Sequence, residues 1–207
     1  MQDCRINRIT QKTDNSHLNF FELDVENRKG NPSKYYVASR RTSPQEMEMT
    51  TGRQHVDGVI IFSLYGEKRD RVVMIRQYRY PINGYIYEFP AGLVEPGEDY
   101  HTSAIREMKE ETGLTLHPLH VDPAFERPYY TTIGMTDECC GTVYGYADGA
   151  VSDSLLEDSE QIEVVLADRE EVKRILREER VAIVCAYMLT HFLQEGDTFA
   201  FLDALKK

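Results

Sequence analysis

The chain has 207 residues, of which 35 are acidic and 24 basic, so that its formal net charge is −11, and 41% of its residues are hydrophobic. This length and apolar content predict one ordinary folded domain with at most a small appendage, and they exclude a disordered chain. The excess negative charge repels phosphate backbones and anionic headgroups, which argues against nonspecific binding to nucleic acid or to membranes.

Cysteines, histidines and apolar runs narrow the class of protein further. The longest apolar run, 181–189, is about half of the roughly 20 residues that a bilayer-spanning helix needs, and the start MQDCRINRITQKTD has no apolar signal region. We therefore expect a cytoplasmic protein. No Cys-x-x-Cys, His-x-x-x-His or His-Glu-x-x-His spacing occurs, which predicts reduced structural thiols and disfavours a histidine zinc site.

The first 50 residues predict a small antiparallel β-sheet. Polar and apolar residues alternate over 19–25 and 34–38, and the turn sequence KGNP lies between the two runs. The polar, aperiodic stretch 41–53 is typical of a linker. We expect residues 1–50 to form an N-terminal β-sheet region and residues 51–207 to form the main domain.

Strands and helices then follow each other without a regular repeat. Apolar patterning predicts six strands, at 56–64, 71–79, 85–89, 116–125, 141–147 and 160–166. The first of three helices begins after Asp99, a natural N-cap, and ends at Thr112, before Gly113. The other two are expected at 169–179 and at 181–194, the latter apolar nearly all round and packed against the sheet. This order predicts an α/β (α+β) sandwich around a mixed sheet.

Three common functional signatures are absent from the sequence. It contains no GxGxxG and no GxxxxGK[ST] loop, and it contains no GxSxG elbow. A dinucleotide-binding Rossmann unit, a P-loop nucleotide site and a serine hydrolase therefore lack the sequences that would support them.

The first helix carries an unusual cluster of carboxylates. Within REMKEETG, Glu107, Glu110 and Glu111 are spaced i, i+3 and i+4, so they lie on one helix face. Like charges at this spacing repel each other, which suggests that a cation binds there. Oxygen ligands without histidine or cysteine suit a hard ion such as Mg²⁺ or Mn²⁺. The alternative is an acidic helix face exposed to solvent.

The loop before this helix decides between these interpretations. Its sequence, EFPAGLVEPGE, is rich in turn residues and leads directly into the helix. Together, loop and helix resemble the Nudix box, in which a glycine is followed after five residues by glutamate and after seven more by Arg-Glu-aliphatic-x-Glu-Glu-x-Gly-aliphatic. The matching positions are Gly92, Glu98, Arg106, Glu107, Met108, Glu110, Glu111, Gly113 and Leu114.

The resemblance implies a Nudix-type α/β/α sandwich that hydrolyses a nucleoside diphosphate linked to another group, with Mg²⁺ or Mn²⁺ bound by the helix. It implies metal ligands at Glu107, Glu110, Glu111 and the carbonyl of Ala91. Glu110 would be either a ligand or a catalytic group that positions water, and Arg106 would orient it through an i,i+4 ion pair. Glu98 is expected to brace the loop at the N-terminal end of the helix.

The flanking sequence RQYRYPINGYIYEFPAGLVEPGE resembles the ADP-ribose pyrophosphatase branch of this family, and the similarity covers roughly residues 35 to 195. It implies substrate contacts by Arg79 and Glu88, with a surface arginine beside a strand end as the alternative for Arg79. Tyr35 and Arg40 have the spacing of an adenine-stacking aromatic residue and a phosphate-binding arginine in that branch. Tyr35 could also be an ordinary strand residue.

The catalytic base lies outside the box in this family, in loops that differ between members. Glu160 resembles the loop glutamate before a late strand and is the first candidate. Glu138 matches a second family position, and Glu157 is a third possibility. Each could instead be a solvated loop acid.

The sequence thus predicts a metal-dependent pyrophosphatase that converts ADP-ribose to AMP and ribose 5-phosphate. Because the branch often has Ser-Pro-Gly where this chain has TIG at 132–134, the substrate could be another nucleotide sugar or a dinucleotide, such as GDP-mannose or NADH. A non-catalytic sensor for such a ligand is a further alternative. The resemblance also implies a homodimer formed through the N-terminal region, since an isolated β-unit is unstable.

Overall fold

The structure is a computed structural model that describes residues 3–205. Contacts between residues divide the chain into two compact units. The first unit comprises residues 3–57 together with 128–140, and the second unit comprises residues 58–127 together with 141–205. The segment 128–140 therefore leaves the second unit along the chain and folds with the N-terminal residues.

The first unit is built on a three-stranded antiparallel sheet in the order β1-β2-β3. The strands are β1 (Arg5–Gln11), β2 (Asn19–Glu26) and β3 (Pro32–Ser39), so the antiparallel sheet predicted for this region is present. Phe21, Leu23 and Val37 form its core with Met47. Met47 precedes the short helix α1 (Glu48–Thr51), so part of the segment 41–53 that we expected to be a linker is packed into this core.

The second unit contains a mixed sheet in the order β11-β5-β4-β10-β8. The strands of this path are β4 (Gly58–Tyr65), β5 (Arg71–Arg79), β8 (Thr115–Pro118), β10 (Cys139–Asp148) and β11 (Ile162–Ala167). Two short strands extend it, β6 (Gly84–Glu88) beside β5 and β7 (Ala91–Leu93) beside β4. Strand β9 (Tyr129–Tyr130) pairs with the start of β10, and both of these segments lie in the first unit. A 3-10 turn (Tyr80–Ile82) joins β5 to β6.

Helices cover both faces of this sheet, as alternating side chains on its strands require. Val59, Ile61 and Val73 point to one face and pack with α2 (Tyr100–Thr112). Phe62, Leu64, Val72 and Met74 point to the other face and pack with α4 (Arg169–Glu178), α5 (Ile183–Leu193) and the 3-10 turn Ala200–Asp203. The predicted α/β/α sandwich is therefore confirmed.

Two predicted elements differ from the structure. The expected strand 116–125 ends at Pro118, and α3 (Pro123–Glu126) follows after an irregular stretch. Asp122 caps this helix by accepting the Ala124 N–H, and proline at the first helical position suits a helix start. On α5, Ile183 and Tyr187 are 66% and 69% exposed, so this apolar helix buries only one side.

The helices show one further property of the fold. None of those among residues 3–205 combines the length and the apolar character that crossing a membrane requires.

Candidate active site

Helix α2 carries the glutamates of the candidate site. The Asp99 side chain accepts the N–H groups of His101 and Thr102, at 3.0 and 3.2 Å, and Gly113 ends the helix at a φ of 75°. Ala104 and Met108 are fully buried against the sheet, which fixes the rotation of the helix about its axis. The glutamates are thereby set on a defined face.

Glu111 is the most deeply buried carboxylate of the site, with 3% of its surface exposed. Its Oε2 accepts the N–H of Ala91, at 3.0 Å, which ties the helix to β7. Burial raises the pKa of Glu111 well above its usual value, and the charges of Glu107 and Glu160 raise it further, whereas Arg79 opposes the shift. Within the described residues no lysine, arginine or histidine forms an ion pair with Glu111.

Glu107 lies against the backbone of Gly92, on β7. A β-carbon at position 92 would lie 2.0 and 2.4 Å from the two Glu107 carboxylate oxygens, so only glycine leaves room for this side chain. Burial is the main cause that raises the pKa of Glu107, and Arg106 partly offsets it. The loop glycine of the box is thus required by the position of Glu107.

Arg106 connects the loop glutamate to the helix glutamates. Its Nη2 donates to Glu98, at 3.0 Å, while its Nη1 donates to Glu107 at 2.8 Å and to Glu110 at 2.9 Å. The i,i+4 pair with Glu110 is the contact that the sequence suggested. Glu98 also accepts the hydroxyl of Ser103, at 2.6 Å, a contact that the box pattern does not anticipate because position 103 lies in its unspecified spacer.

Arg79 and Glu88 lie on the paired strands β5 and β6. The Nε of Arg79 donates to Glu88 Oε2 at 2.7 Å, and 46% of the Arg79 side chain is exposed. Because the charge of Arg79 lowers the pKa of Glu111, this arginine contributes to the electrostatics of the carboxylate cluster. A guanidinium in this position is suited to an anionic group near the glutamates.

Of the three candidate bases, Glu160 and Glu157 belong to the second unit. The Glu157 N–H donates to Glu160 Oε2 at 3.1 Å, in the loop that precedes β11. The charge of Glu160 raises the pKa of both Glu107 and Glu111. Glu160 therefore interacts electrostatically with the glutamates of α2.

The remaining predicted site residues lie together in the first unit. Arg40 donates from Nε and Nη2 to Oε1 of Glu138, at 2.9 and 2.8 Å, and the hydroxyl of Thr131 donates to Glu138 Oε2 at 3.0 Å. Tyr35 donates from its hydroxyl to the carbonyl of Gly134 at 2.8 Å and is 45% exposed. Arg40 and Glu138 are thus paired with each other, a contact between residues 98 positions apart that sequence patterns could not reveal.

The donor set fits a hard divalent cation. Among residues 3–205 no three histidine, cysteine, aspartate or glutamate side chains converge as a ready-made metal cluster, and Arg106 binds Glu107 and Glu110. Glu111, however, is a buried carboxylate with no ion pair to any residue of 3–205, and it lies beside two further negative charges. A buried carboxylate in this condition is stabilised by a bound cation, and oxygen-only donors suit Mg²⁺ or Mn²⁺.

The chain is similar in sequence to known pyrophosphatases. The chain is 39% identical over 92 residues to an ADP-ribose pyrophosphatase of Saccharomyces cerevisiae, which covers 42% of this chain and 38% of that protein. It is 33% identical over 101 residues to an ADP-ribose pyrophosphatase of Bacillus subtilis, covering 45% and 51%. The chain thus matches about half the length, or less, of these curated relatives.

The fold and a family pattern also link this chain to known proteins. A crystal structure of an ADP compounds hydrolase superposes with a TM-score of 0.56 at 17% identity, covering 86% of this chain and 85% of that one, which establishes the likeness of the fold. Residues 54–185, well over half of the chain, match the model of the NUDIX domain, and this range contains the loop, helix α2 and Glu160. The chain belongs to the Nudix family.

Proposed function

We propose that this protein hydrolyses the pyrophosphate bond of a nucleoside diphosphate sugar, with ADP-ribose as the expected substrate and AMP and ribose 5-phosphate as products. The observation that carries the proposal is the buried Glu111 carboxylate, which lies beside the charges of Glu107 and Glu160 and has no ion pair within the described residues. The choice of substrate is supported by the two relatives, which are both ADP-ribose pyrophosphatases.

The proposed metal ligands are Glu107, Glu110, Glu111 and the carbonyl oxygen of Ala91. Once bound, Mg²⁺ or Mn²⁺ would neutralise phosphate charge and lower the pKa of a water molecule. The N–H of Ala91 donates to Glu111, so the same residue would contribute its backbone to both the buried carboxylate and the cation. Arg106, paired with Glu98, would keep the carboxylates of Glu107 and Glu110 oriented toward the cation.

We assign the role of general base to Glu160, with Glu138 and Glu157 as the alternatives. Water would form a bond to one phosphorus while the bridging oxygen leaves with the other phosphate, and Glu160 would accept the proton of that water. Its electrostatic interaction with Glu107 and Glu111 supports this choice over Glu138, which Arg40 already binds through two nitrogen atoms. A base must reach the reacting water, and the loop position of Glu160 suits this requirement.

For the substrate itself we propose two groups of contacts. Arg79, oriented by Glu88, would bind a phosphate or the terminal ribose, since a guanidinium fork matches such oxygens. Tyr35 would stack on the adenine ring, with Arg40 near the phosphates. The exposed ring of Tyr35 and the exposed side of Arg79 support these assignments.

We further propose that the N-terminal region, residues 1–50, mediates a homodimer and contributes substrate contacts, while residues 51–207 carry out the hydrolysis in the cytoplasm. Phe20 and Tyr36 support the dimer. Their rings stack at 5.6 Å on the first unit's sheet, yet they are 43% and 48% exposed. Exposed aromatic residues of this kind favour protein contacts. Light scattering of the purified chain tests the dimer directly.

A substrate panel tests the proposed activity. The chain is incubated with ADP-ribose, GDP-mannose, NADH and UDP-glucose in Mg²⁺ or Mn²⁺, with Glu111→Gln as the inactive control, and products are separated by chromatography. We expect AMP and ribose 5-phosphate from ADP-ribose. Cleavage of a different compound in the panel would keep the chemistry and reject the substrate, whereas Mn²⁺ binding without any cleavage would favour a non-catalytic ligand sensor.

A further inference from the structure

Ser103 has a contact that distinguishes it from an ordinary helical serine. The residue is fully buried in the first half of α2, and its hydroxyl lies 3.2 Å from the Asp99 carbonyl, the usual partner of a serine four residues later in a helix. Its shorter contact, 2.6 Å, is to the carboxylate of Glu98. Hydrogen bonds to an ionised acceptor are shorter and stronger than neutral ones, so the hydroxyl donates to Glu98.

Glu98 in turn fixes one edge of the Arg106 guanidinium. Arg106 approaches its two carboxylate oxygens from Nη2 at 3.0 Å and from Nε at 3.3 Å. The carbonyl of Leu93 accepts a further bond from Nη2, at 3.1 Å. A planar guanidinium that is held along one edge has little freedom to rotate, so the direction of its remaining donor is set by Glu98 and Leu93.

That remaining donor, Nη1, contacts Glu107 and Glu110 at 2.8 and 2.9 Å. An unbroken series of hydrogen bonds thus runs from the buried Ser103 hydroxyl through Glu98 and Arg106 to two of the proposed metal ligands. Among the described residues, Ser103 is the only one whose hydroxyl donates to Glu98. Loss of this hydroxyl would leave the Glu98 carboxylate freer to rotate away from Arg106.

We propose that Ser103 is a positioning residue for the cation site, acting through Glu98 and Arg106 to set the positions of Glu107 and Glu110. The inference rests on the proposed function, since it concerns the same carboxylates. Replacing a residue that orients a metal ligand typically weakens metal binding about 10- to 100-fold, and because Ser103 acts two contacts further away, we expect about a threefold to tenfold loss in Ser103→Ala.

The test measures Mn²⁺ binding by calorimetry without substrate in the full chain, together with thermal midpoints. Four proteins are compared: the natural chain, Ser103→Ala, Glu98→Gln and the double variant. If Ser103 acts through Glu98, the serine substitution weakens Mn²⁺ binding in the natural chain and has no additional effect in Glu98→Gln. Thr112→Val is the matched control, because Thr112 is also buried on α2 and its hydroxyl bonds to the Met108 carbonyl, outside the series. Ser103→Cys, which retains a weak donor, should recover part of the affinity.

The outcomes separate this inference from the proposed function. Equal Mn²⁺ affinity in the natural chain and Ser103→Ala, or an undiminished serine effect in the Glu98→Gln background, overturns the role of Ser103 and leaves the hydrolase proposal intact. Loss of Mn²⁺ affinity with the expected coupling supports Ser103 even where no panel compound is cleaved. If the natural chain binds no Mn²⁺, both the metal-dependent function and the role of Ser103 are wrong.

Discussion

A β-carbon placed on Gly92 would lie 1.9 Å from the Cδ atom of Glu107, closer than any non-bonded carbon atoms can approach. The two residues belong to different elements, β7 and α2, and Gly92 is held opposite Val59 on β4. Neither backbone can retreat easily, because β7 is paired within the sheet and α2 packs on it through Ala104 and Met108. The position of the Glu107 carboxylate against β7 therefore depends on the missing side chain.

We predict that Gly92→Ala strongly lowers turnover while the protein still folds. The added methyl group displaces the Glu107 carboxylate, and a displacement of about 1 Å at a reacting site costs about 100-fold in rate. Steady-state kinetics on the best panel substrate measures this loss. Gly134→Ala is the control, because a β-carbon at position 134 would meet nothing within 4 Å. Its thermal midpoint should equal that of the natural chain. Turnover within a few-fold of the natural chain in Gly92→Ala would contradict the importance of this approach.

The buried carboxylate predicts an unusual gain of stability. In the absence of divalent metal, Glu111→Gln should raise the free energy of unfolding by roughly 1–3 kcal/mol at neutral pH, because an amide can still accept the Ala91 N–H and costs less to bury than a charge. Mn²⁺ should reverse the order by stabilising the natural chain and leaving the variant unchanged. Thermal melts in EDTA and in Mn²⁺ measure both effects. If Glu111→Gln were less stable than the natural chain in EDTA, the buried charge of Glu111 would not be costly.

The stability gained by Glu111→Gln should depend on pH. Burial raises the pKa of Glu111 well above its usual value, so the cost of its charge is present at neutral pH. This cost begins to fall as the pH drops through the folded-state pKa, and it is gone below the unfolded-state pKa. The advantage of Glu111→Gln in metal-free buffer should therefore shrink as the buffer is acidified from neutral pH toward the usual pKa of a glutamate. Parallel melts of both proteins cancel the titration of all other groups. An advantage that grows on acidification would mean that the shift has the opposite direction.

Local signals explain what the sequence predicted well. The N-cap Asp99 and the left-handed Gly113 define α2 through contacts within a few residues, so both ends of the helix agree with the prediction. The i,i+4 contact of Arg106 with Glu110 follows equally from helix geometry. The predicted strand 116–125 was wrong beyond Pro118, because alternating apolar residues also fit an irregular stretch capped by Asp122.

Contacts between distant segments explain what could not be predicted. The segment 128–140 joins the first unit through Arg40 with Glu138 and through Tyr35 with the Gly134 carbonyl, and nothing in its own sequence indicates this destination. Ser103 occupies a position that the box leaves unspecified, and its role depends on how Glu98 folds back over the helix. Both contacts depend on where side chains point in the tertiary structure, and a pattern of residue types does not contain that information.

Tyr35 tests the proposed adenine contact. Stacking of a base on an aromatic ring contributes about 1–3 kcal/mol, so Tyr35→Ala should raise KM for ADP-ribose about tenfold with little change in kcat. Tyr35→Phe keeps the ring and loses only the hydroxyl that donates to Gly134, so its KM should stay near that of the natural chain. Equal KM values for the alanine variant and the natural chain would make Tyr35 an ordinary strand residue.

Substitution of the three loop glutamates identifies the base. Removing a general base costs about 100- to 10,000-fold in rate, so Glu160→Gln should lower kcat by that amount while Mn²⁺ affinity and the thermal midpoint change little. Glu157→Gln is the matched control in the same loop, and its N–H, which donates to Glu160, is retained. Glu138→Gln removes the charge that Arg40 binds, so it should alter KM more than kcat.

The pH profile provides a second criterion, because loss of the base removes the acidic limb of kcat/KM. If Glu138→Gln alone abolished that limb, the base would be Glu138, and the interaction of Glu160 with Glu107 and Glu111 would serve only to set the charge of the site.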